Sequence, residues 1–154
     1  MLNAAIIGLG WWGKTITERM QVSTEMRIAR AVDLYPENQG EYTAKYGVPV
    51  TADYAEVLAD PKIDAVILTT PNSLHTRQIA QAAQAGKHVF CEKPLALNVV
   101  EARQSVQLCK EKASFLAWAM SGDLNWPCLR LNVWFAPASW AKSCMPKATS
   151  AMTS

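Results

Sequence analysis

Short apolar runs alternate along the chain with amphipathic stretches, and the alternation continues from the N-terminus to about residue 112. Leu2 to Ile7 is apolar except for Asn3 and is closed by Gly8-Leu9-Gly10-Trp11-Trp12-Gly13. A short apolar run bounded by glycines predicts a buried parallel strand, and the stretch that follows, to about Val22, a crossover helix. Met26 to Val32 predicts a second strand ending at Asp33. Pro36 to Tyr46 predicts a helix stopped by Gly47, and Val48 to Thr51 a short strand. Asp53 is placed to cap a helix through about Ala59, and Ala65 to Thr70 is the clearest buried strand. Ser73 is expected to cap a helix running to Ala85 and closed by Gly86. His88 to Cys91 reads as strand, Asn98 to about Lys112 as helix, and Ser114 to Ala117 as the start of one more strand. Strands alternating with helices of about 10–15 residues predict an α/β fold, a parallel sheet doubly wound by helices on both faces.

Composition narrows the classes. The 154 residues amount to one domain, or one domain and a remainder, since domains run about 100–200 residues. Hydrophobic residues make up 50% and charged residues 18%, which excludes a disordered or low-complexity chain. No run approaches the ~18 apolar residues of a membrane helix. The start MLNAAIIGLG lacks the basic region and cleavage site of a signal peptide, so no membrane partner and a cytoplasmic location are expected. Cys91, Cys109, Cys128 and Cys144 form no CxxC pair and have no histidine at ligand spacing, so neither a metal site nor a disulfide framework is expected. A net charge of +2 is too small to suggest a nucleic-acid surface. Its distribution is uneven: residues 1–116 hold 12 basic and 12 acidic side chains, and residues 117–154 hold three and one. That last stretch also carries four of the six tryptophans and one of the seven glycines. The two parts therefore read separately, as 1–117 and 118–154.

Candidate chemistry begins with the glycine turn. In a βαβ unit Gly8 would permit the tight turn, Gly10 would let the backbone approach a pyrophosphate, and Gly13 would let helix and strand pack closely, with free N–H groups of the helix start facing the phosphates. The turn ends a strand, opens a helix, and is followed 20 residues after Gly13 by Asp33 at the end of the second strand. That conjunction points to a dinucleotide, with Asp33 accepting hydrogen bonds from the adenosine ribose. A carboxylate there favours NAD, because a 2′-phosphate would be repelled; Arg30 nearby keeps NADP open. Trp11 and Trp12 fill the variable positions and either shape the cofactor pocket or pack on neighbouring loops, packing being expected for at least one. Thr70-Pro71-Asn72 follows the fourth predicted strand at the carboxyl edge, where open α/β sheets bind ligands. His75 reads equally as a surface residue or as a contact on the nicotinamide side. Glu92 and Lys93 end the fifth strand on the same edge; spacing alone makes them a surface ion pair, and position makes Lys93 a group able to hydrogen-bond or protonate a substrate oxygen. Cys91 reads as a buried apolar filler.

The segments GLGWWG, TTPNSLH and AGKHVFCEKPLALNVVEA closely resemble the N-terminal domain of the Gfo/Idh/MocA oxidoreductases, over about residues 1–116. The resemblance implies an NAD(P)-dependent dehydrogenase that transfers hydride from a sugar, cyclitol or similar hydroxylated substrate. It implies a catalytic Lys93 near nicotinamide and substrate, with the glycine-turn residues, Asp33, Thr70, Asn72, His75 and Glu92 on the cofactor side. Members of the family continue into a second α/β domain that supplies most substrate contacts. The chain is too short to hold it, so the expectation is a cofactor-binding half without turnover, prone to self-association through the face that the missing domain covers. The competing reading is a non-catalytic nucleotide-binding or regulatory module whose tail binds a partner.

The resemblance stops at Ala117, where composition also changes. Reading each codon's last base with the next codon's first two, Ala117 to Ser121 permits Val-Gly-His-Glu, with the glycine forced at the Trp118–Ala119 junction. Further on the shifted frame permits Arg-Arg-Phe-Glu-Leu-Ala and Arg-Ala-Gly-Glu-Leu-Gly, strings that resemble the family; Trp134–Phe135 forces a valine, and Trp140–Ala141 forces the second glycine of the latter string. Residues 118–154 are accordingly expected to be out-of-frame translation after the loss of one base near codon 117. Sequencing the DNA checks this: a restorable downstream domain is expected, and an intact frame without one contradicts it.

Overall fold

The computed structural model describes residues 1–119 and 131–135. Among these described residues, seven strands form one sheet in the order β3-β2-β1-β4-β5-β6-β7. They are β1 (Leu2–Ile7), β2 (Met26–Val32), β3 (Val50–Thr51), β4 (Ala65–Leu68), β5 (His88–Cys91), β6 (Leu116–Ala119) and β7 (Leu131–Phe135). The first six are parallel. Helices α1 (Trp11–Met20), α2 (Gly40–Tyr46), α3 (Tyr54–Ala59), α4 (His75–Gln84) and α5 (Val99–Glu111) connect them. This is the doubly wound α/β architecture that the alternation predicted, with the strand order reversing between β1 and β4.

Period-two alternation along the central strands divides the core in two. Ala5, Ile7, Val66, Leu68, Val89 and Cys91 point to one face, where they pack with Val57, Ile79, Ala82 and Cys109 of α3, α4 and α5. Ala4, Ile6, Ala31, Ala65 and Ile67 point to the other, with Met20 and Tyr42 of α1 and α2. Both faces of β4 are buried throughout, which is why AVIL is a continuous apolar run and not an alternating one. Thr17 Oγ1 and the Tyr42 hydroxyl, both buried, satisfy each other at 3.0 Å. That burial raises the Tyr42 phenol to about 12.

Local signals set most boundaries. Gly47 closes α2 at φ 66°, Asp53 accepts from Ala55 N–H to cap α3, and Asn98 accepts from Glu101 N–H to cap α5. The 36–46 helix is in two parts, a 3-10 turn over Pro36–Gln39 and then α2. Ser73 does not cap α4: Asn72–Leu74 forms a 3-10 turn, and α4 starts at His75 without a side-chain cap. Pro71, preceding that turn in an extended conformation, sets this tighter entry.

One part of the 118–154 stretch, expected to be out-of-frame translation, joins the sheet. Leu131–Phe135 pairs antiparallel with β6. A terminal parallel strand leaves a row of unpaired N–H and C=O groups, and LNVWF has the aromatic and β-branched content that suits a strand. The outer edge of β6 is thus paired. Residues 120–130 and 136–154, on which most of the out-of-frame reading rests, lie outside the described residues.

Ile79 is fully buried in the larger cluster. Ile79→Ala should therefore lower stability by about 2–5 kcal/mol, read as a reduced urea midpoint at unchanged slope. His88 gives a pH signature. Desolvation lowers its pKa against a smaller opposing effect of Asp64, and its Nδ1 accepts from Phe115 N–H at 3.2 Å. Its contribution to stability is full above the unfolded value of 6.5 and is lost as pH falls through the lowered folded value. Urea midpoints should drop on acidification below about 6.5, and less steeply in His88→Gln.

Candidate functional site

The carboxyl ends of β1, β4 and β5 lie in register, Ile7 with Leu68 and Leu68 with Cys91. Gly8, Thr69 and Glu92, one residue further on, therefore stand side by side along the edge, about 5 Å between neighbouring strands. Gly8 turns the chain at φ +98° with Thr69 backbone atoms 3.2 Å from where a Cβ would stand. A Cβ on Gly13 would meet the Gly8 carbonyl oxygen at 2.1 Å, so α1 sits on the end of β1 at a distance only glycine allows. Gly10 faces open space. It caps α1 through backbone alone, and the first turn of α1 holds no acidic residue. The start of α1 thus presents uncapped N–H groups and the positive end of its dipole to whatever fills that space.

Asp33 ties the turn to β2. Its Oδ2 accepts from Leu9 N–H at 2.9 Å and its Oδ1 from Tyr35 N–H at 3.1 Å. Each carboxylate oxygen carries two lone pairs, so both retain one for a ligand hydroxyl. Arg30 is ion-paired with Glu56, and the residues after Asp33 are the exposed Leu34 and Tyr35. The two tryptophans separate: Trp11 is 78% exposed at the start of α1, whereas Trp12 is half-buried, its indole nitrogen shielded from solvent and without a hydrogen-bond partner among the described residues. Their rings lie 5.2 Å apart, tilted by 36°.

On the neighbouring loop Pro71 and Asn72 are exposed and Thr70 is half-buried, its hydroxyl donating to the Gln78 side-chain oxygen. His75 is not a surface residue, being 1% exposed. Its Nδ1 lies 2.8 Å from the Pro94 carbonyl and its Nε2 2.9 Å from the Thr70 carbonyl. Both nitrogens thus lie within hydrogen-bond distance of main-chain oxygens. Glu92 is half-buried and Lys93 exposed. Glu92 Oε2 accepts from Lys93 N–H at 3.4 Å, and among the described residues Lys93 forms no ion pair. Cys91 is a filler as expected: fully buried, its thiol pushed up by desolvation and then by Glu92. No cluster that could hold a metal ion occurs among the described residues, nor any helix long and apolar enough to cross a membrane.

Two side chains that hold the sheet ends, one at this edge and one at the opposite end, carried no obvious signal. Thr69 Oγ1 donates to the carbonyls of Ile7 and Gly8 at 2.9 and 2.7 Å, bracing the glycine turn from β4; only the strand register identifies it. Lys87 is 8% exposed, with its ammonium on the carbonyls of Asp60 and Ile63 at 2.7 and 2.8 Å, fixing the entry to β4.

The family described as oxidoreductase, NAD-binding Rossmann fold, matches residues 2–119. The chain is 36% identical over 127 residues to a 2,7-anhydro-N-acetylneuraminate hydratase of Escherichia coli, covering 81% of this chain and 33% of that one. It is 34% identical over 119 residues to an inositol 2-dehydrogenase of Rhodococcus jostii, covering 73% and 30%. Its structure superposes on that of GenD2 from gentamicin A biosynthesis, in complex with NAD, with a TM-score of 0.72 at 30% identity, over 76% of this chain and 34% of the other. The chain spans about a third of the length of the curated relatives it matches.

Gly13→Ala should cost about 3 kcal/mol, because the obstructing atom is backbone, and Gly10→Ala, with open space beside it, less than about 0.5 kcal/mol. Chemical denaturation of both variants checks the contrast; equal costs would contradict the close approach at Gly13.

Proposed function

The chain belongs to the oxidoreductase family with an NAD-binding Rossmann fold, and from that premise we propose that the carboxyl edge of β1, β4 and β5 carries NAD for hydride transfer from a hydroxylated ring substrate. The observation that carries the reading is the glycine turn: Gly8 and Gly13 have steric reasons to be glycine, whereas Gly10 has none among the described residues. Open space over Gly10, against uncapped N–H groups, suits a pyrophosphate. In this reading Trp11, Trp12 and the Thr70-Pro71-Asn72 loop line that space, and Asp33 accepts hydrogen bonds from the adenosine ribose. NAD is preferred to NADP, since Asp33 would repel a 2′-phosphate, Arg30 is already paired and Leu34 and Tyr35 offer no cation.

Bound NAD supplies the hydride acceptor. Lys93, exposed and without an ion-pair partner among the described residues, extends from the end of β5 to hydrogen-bond the substrate oxygen and take part in moving its proton. Glu92 holds the Lys93 backbone in place. The named relatives include a dehydrogenase of inositol and a hydratase of an anhydro-sugar acid, which supports a sugar- or cyclitol-like substrate class. A cytoplasmic setting goes with this reading. Positioning the substrate, worth up to about 7–11 kcal/mol in favourable cases, is assigned to a second domain facing this edge, as is the cover for exposed Leu97, Val99 and Val100. The 154-residue chain by itself is expected to bind NAD without turnover.

Calorimetric titration tests the assignment. NAD should bind at least about tenfold more tightly than NADP, and Asp33→Ala should weaken NAD about tenfold while narrowing that preference. Unchanged NAD affinity in the variant would remove the ribose assignment, and inositol-dependent NADH production by this chain would contradict the absence of turnover.

A further inference from the structure

His75 joins two segments of this edge that the chain separates by a helix and a strand. Thr70 belongs to the loop after β4, Pro94 to the loop after β5, and the imidazole contacts the main-chain oxygen of each at 2.9 and 2.8 Å. The ring is fully enclosed, and it stands at the first position of α4. Few side chains satisfy this geometry. Imidazole is rigid beyond two torsions and carries nitrogens on opposite sides of the ring, so it reaches both carbonyls at once, whereas the single nitrogen of an Asn or Gln amide takes the place of only one of them. Both acceptors are carbonyls, so the neutral ring donates to one of them, and a ring with a proton on each nitrogen donates to both. Each carbonyl lies next to residues that the proposed function uses: Thr70 precedes Pro71 and Asn72, and Pro94 follows Glu92 and Lys93.

We propose that His75 is a positioning residue that couples the loop carrying Asn72 to the loop carrying Lys93, so that the two sides of the site adopt their working geometry together. The coupling has independent support in the same region, because Thr76 Oγ1 donates to Glu101 Oε2 at 3.1 Å and Asn98 in turn caps α5 through Glu101. The starts of α4 and α5 are thereby tied beside the imidazole, which leaves the two loops as the remaining segments to be held. The functional consequence rests on Asn72 and Lys93 acting at the cofactor site; the tie itself does not.

Two variants dissect it in the full 154-residue chain. In His75→Asn the amide takes the place of Nδ1 and keeps the Pro94 side; in His75→Gln it takes the place of Nε2 and keeps the Thr70 side. In the cofactor-free protein, amide hydrogen exchange should accelerate in residues 69–72 for His75→Asn and in residues 92–96 for His75→Gln. Wild-type exchange in both loops of both variants would overturn the tie. NAD titrations of Asn72→Ala, Lys93→Ala and their combination then read the coupling. With His75 present, the affinity of the double variant should depart about threefold or more from the product of the single effects. In the His75→Asn and His75→Gln backgrounds the effects should multiply. Non-additivity that survives both replacements would overturn the coupling. Single substitutions that leave NAD affinity unchanged would instead remove Asn72 and Lys93 from the cofactor site, and the exchange data would still decide the tie.

Discussion

The contact between the start of α1 and the end of β1 constrains everything else at this edge. Gly13 has no room for even one carbon beyond its backbone, and the atom that denies it is the Gly8 carbonyl oxygen. That approach fixes where α1 begins, aims its first N–H groups across the sheet end, and presses the turn onto Thr69, whose hydroxyl bonds back to Ile7 and Gly8. Asp33 completes the arrangement from β2 by holding Leu9 N–H. Three adjacent strands thus meet on one glycine turn at the point where strand order reverses, the place at which open α/β sheets bind ligands.

The packing below makes the turn possible. Small residues at Ala4 and Ala5, fully buried, let helices approach β1 from both faces, while Ile6 and Ile7 divide their side chains between the two clusters. Lys87 and Ser114 then fix the opposite ends of the strands. The lysine satisfies the carbonyls at the entry to β4, and the Ser114 hydroxyl donates to the Lys87 carbonyl. The amino ends of these strands are thus tied by side chain-to-carbonyl hydrogen bonds, while the candidate residues stand on the loops at the carboxyl ends.

Much of this was legible in residue order because each element carried a local reason. The apolar run before GLGWWG, the left-handed stop at Gly47 and the caps at Asp53 and Asn98 all act within a few residues. What was not legible depends on contacts distant in sequence. Ser73 has every property of a helix cap, but Pro71 tightens the entry into a 3-10 turn. His75 was ambiguous because its partners are a carbonyl five residues back and another 19 residues ahead. Thr69 became identifiable only when strand register set it beside Gly8. The strand at Leu131–Phe135 needed a partner edge that tail composition does not reveal.

The central claim is that one ligand lies across the ends of β1, β4 and β5. Backbone amide shifts of the 154-residue chain during titration with NAD test it most directly. The account predicts that Gly8 to Gly13, Asp33, Thr70, Asn72 and Lys93 shift together along one saturable curve, with the amino ends of the strands unmoved. Shifts confined to other surfaces, or none at saturating NAD, would contradict it.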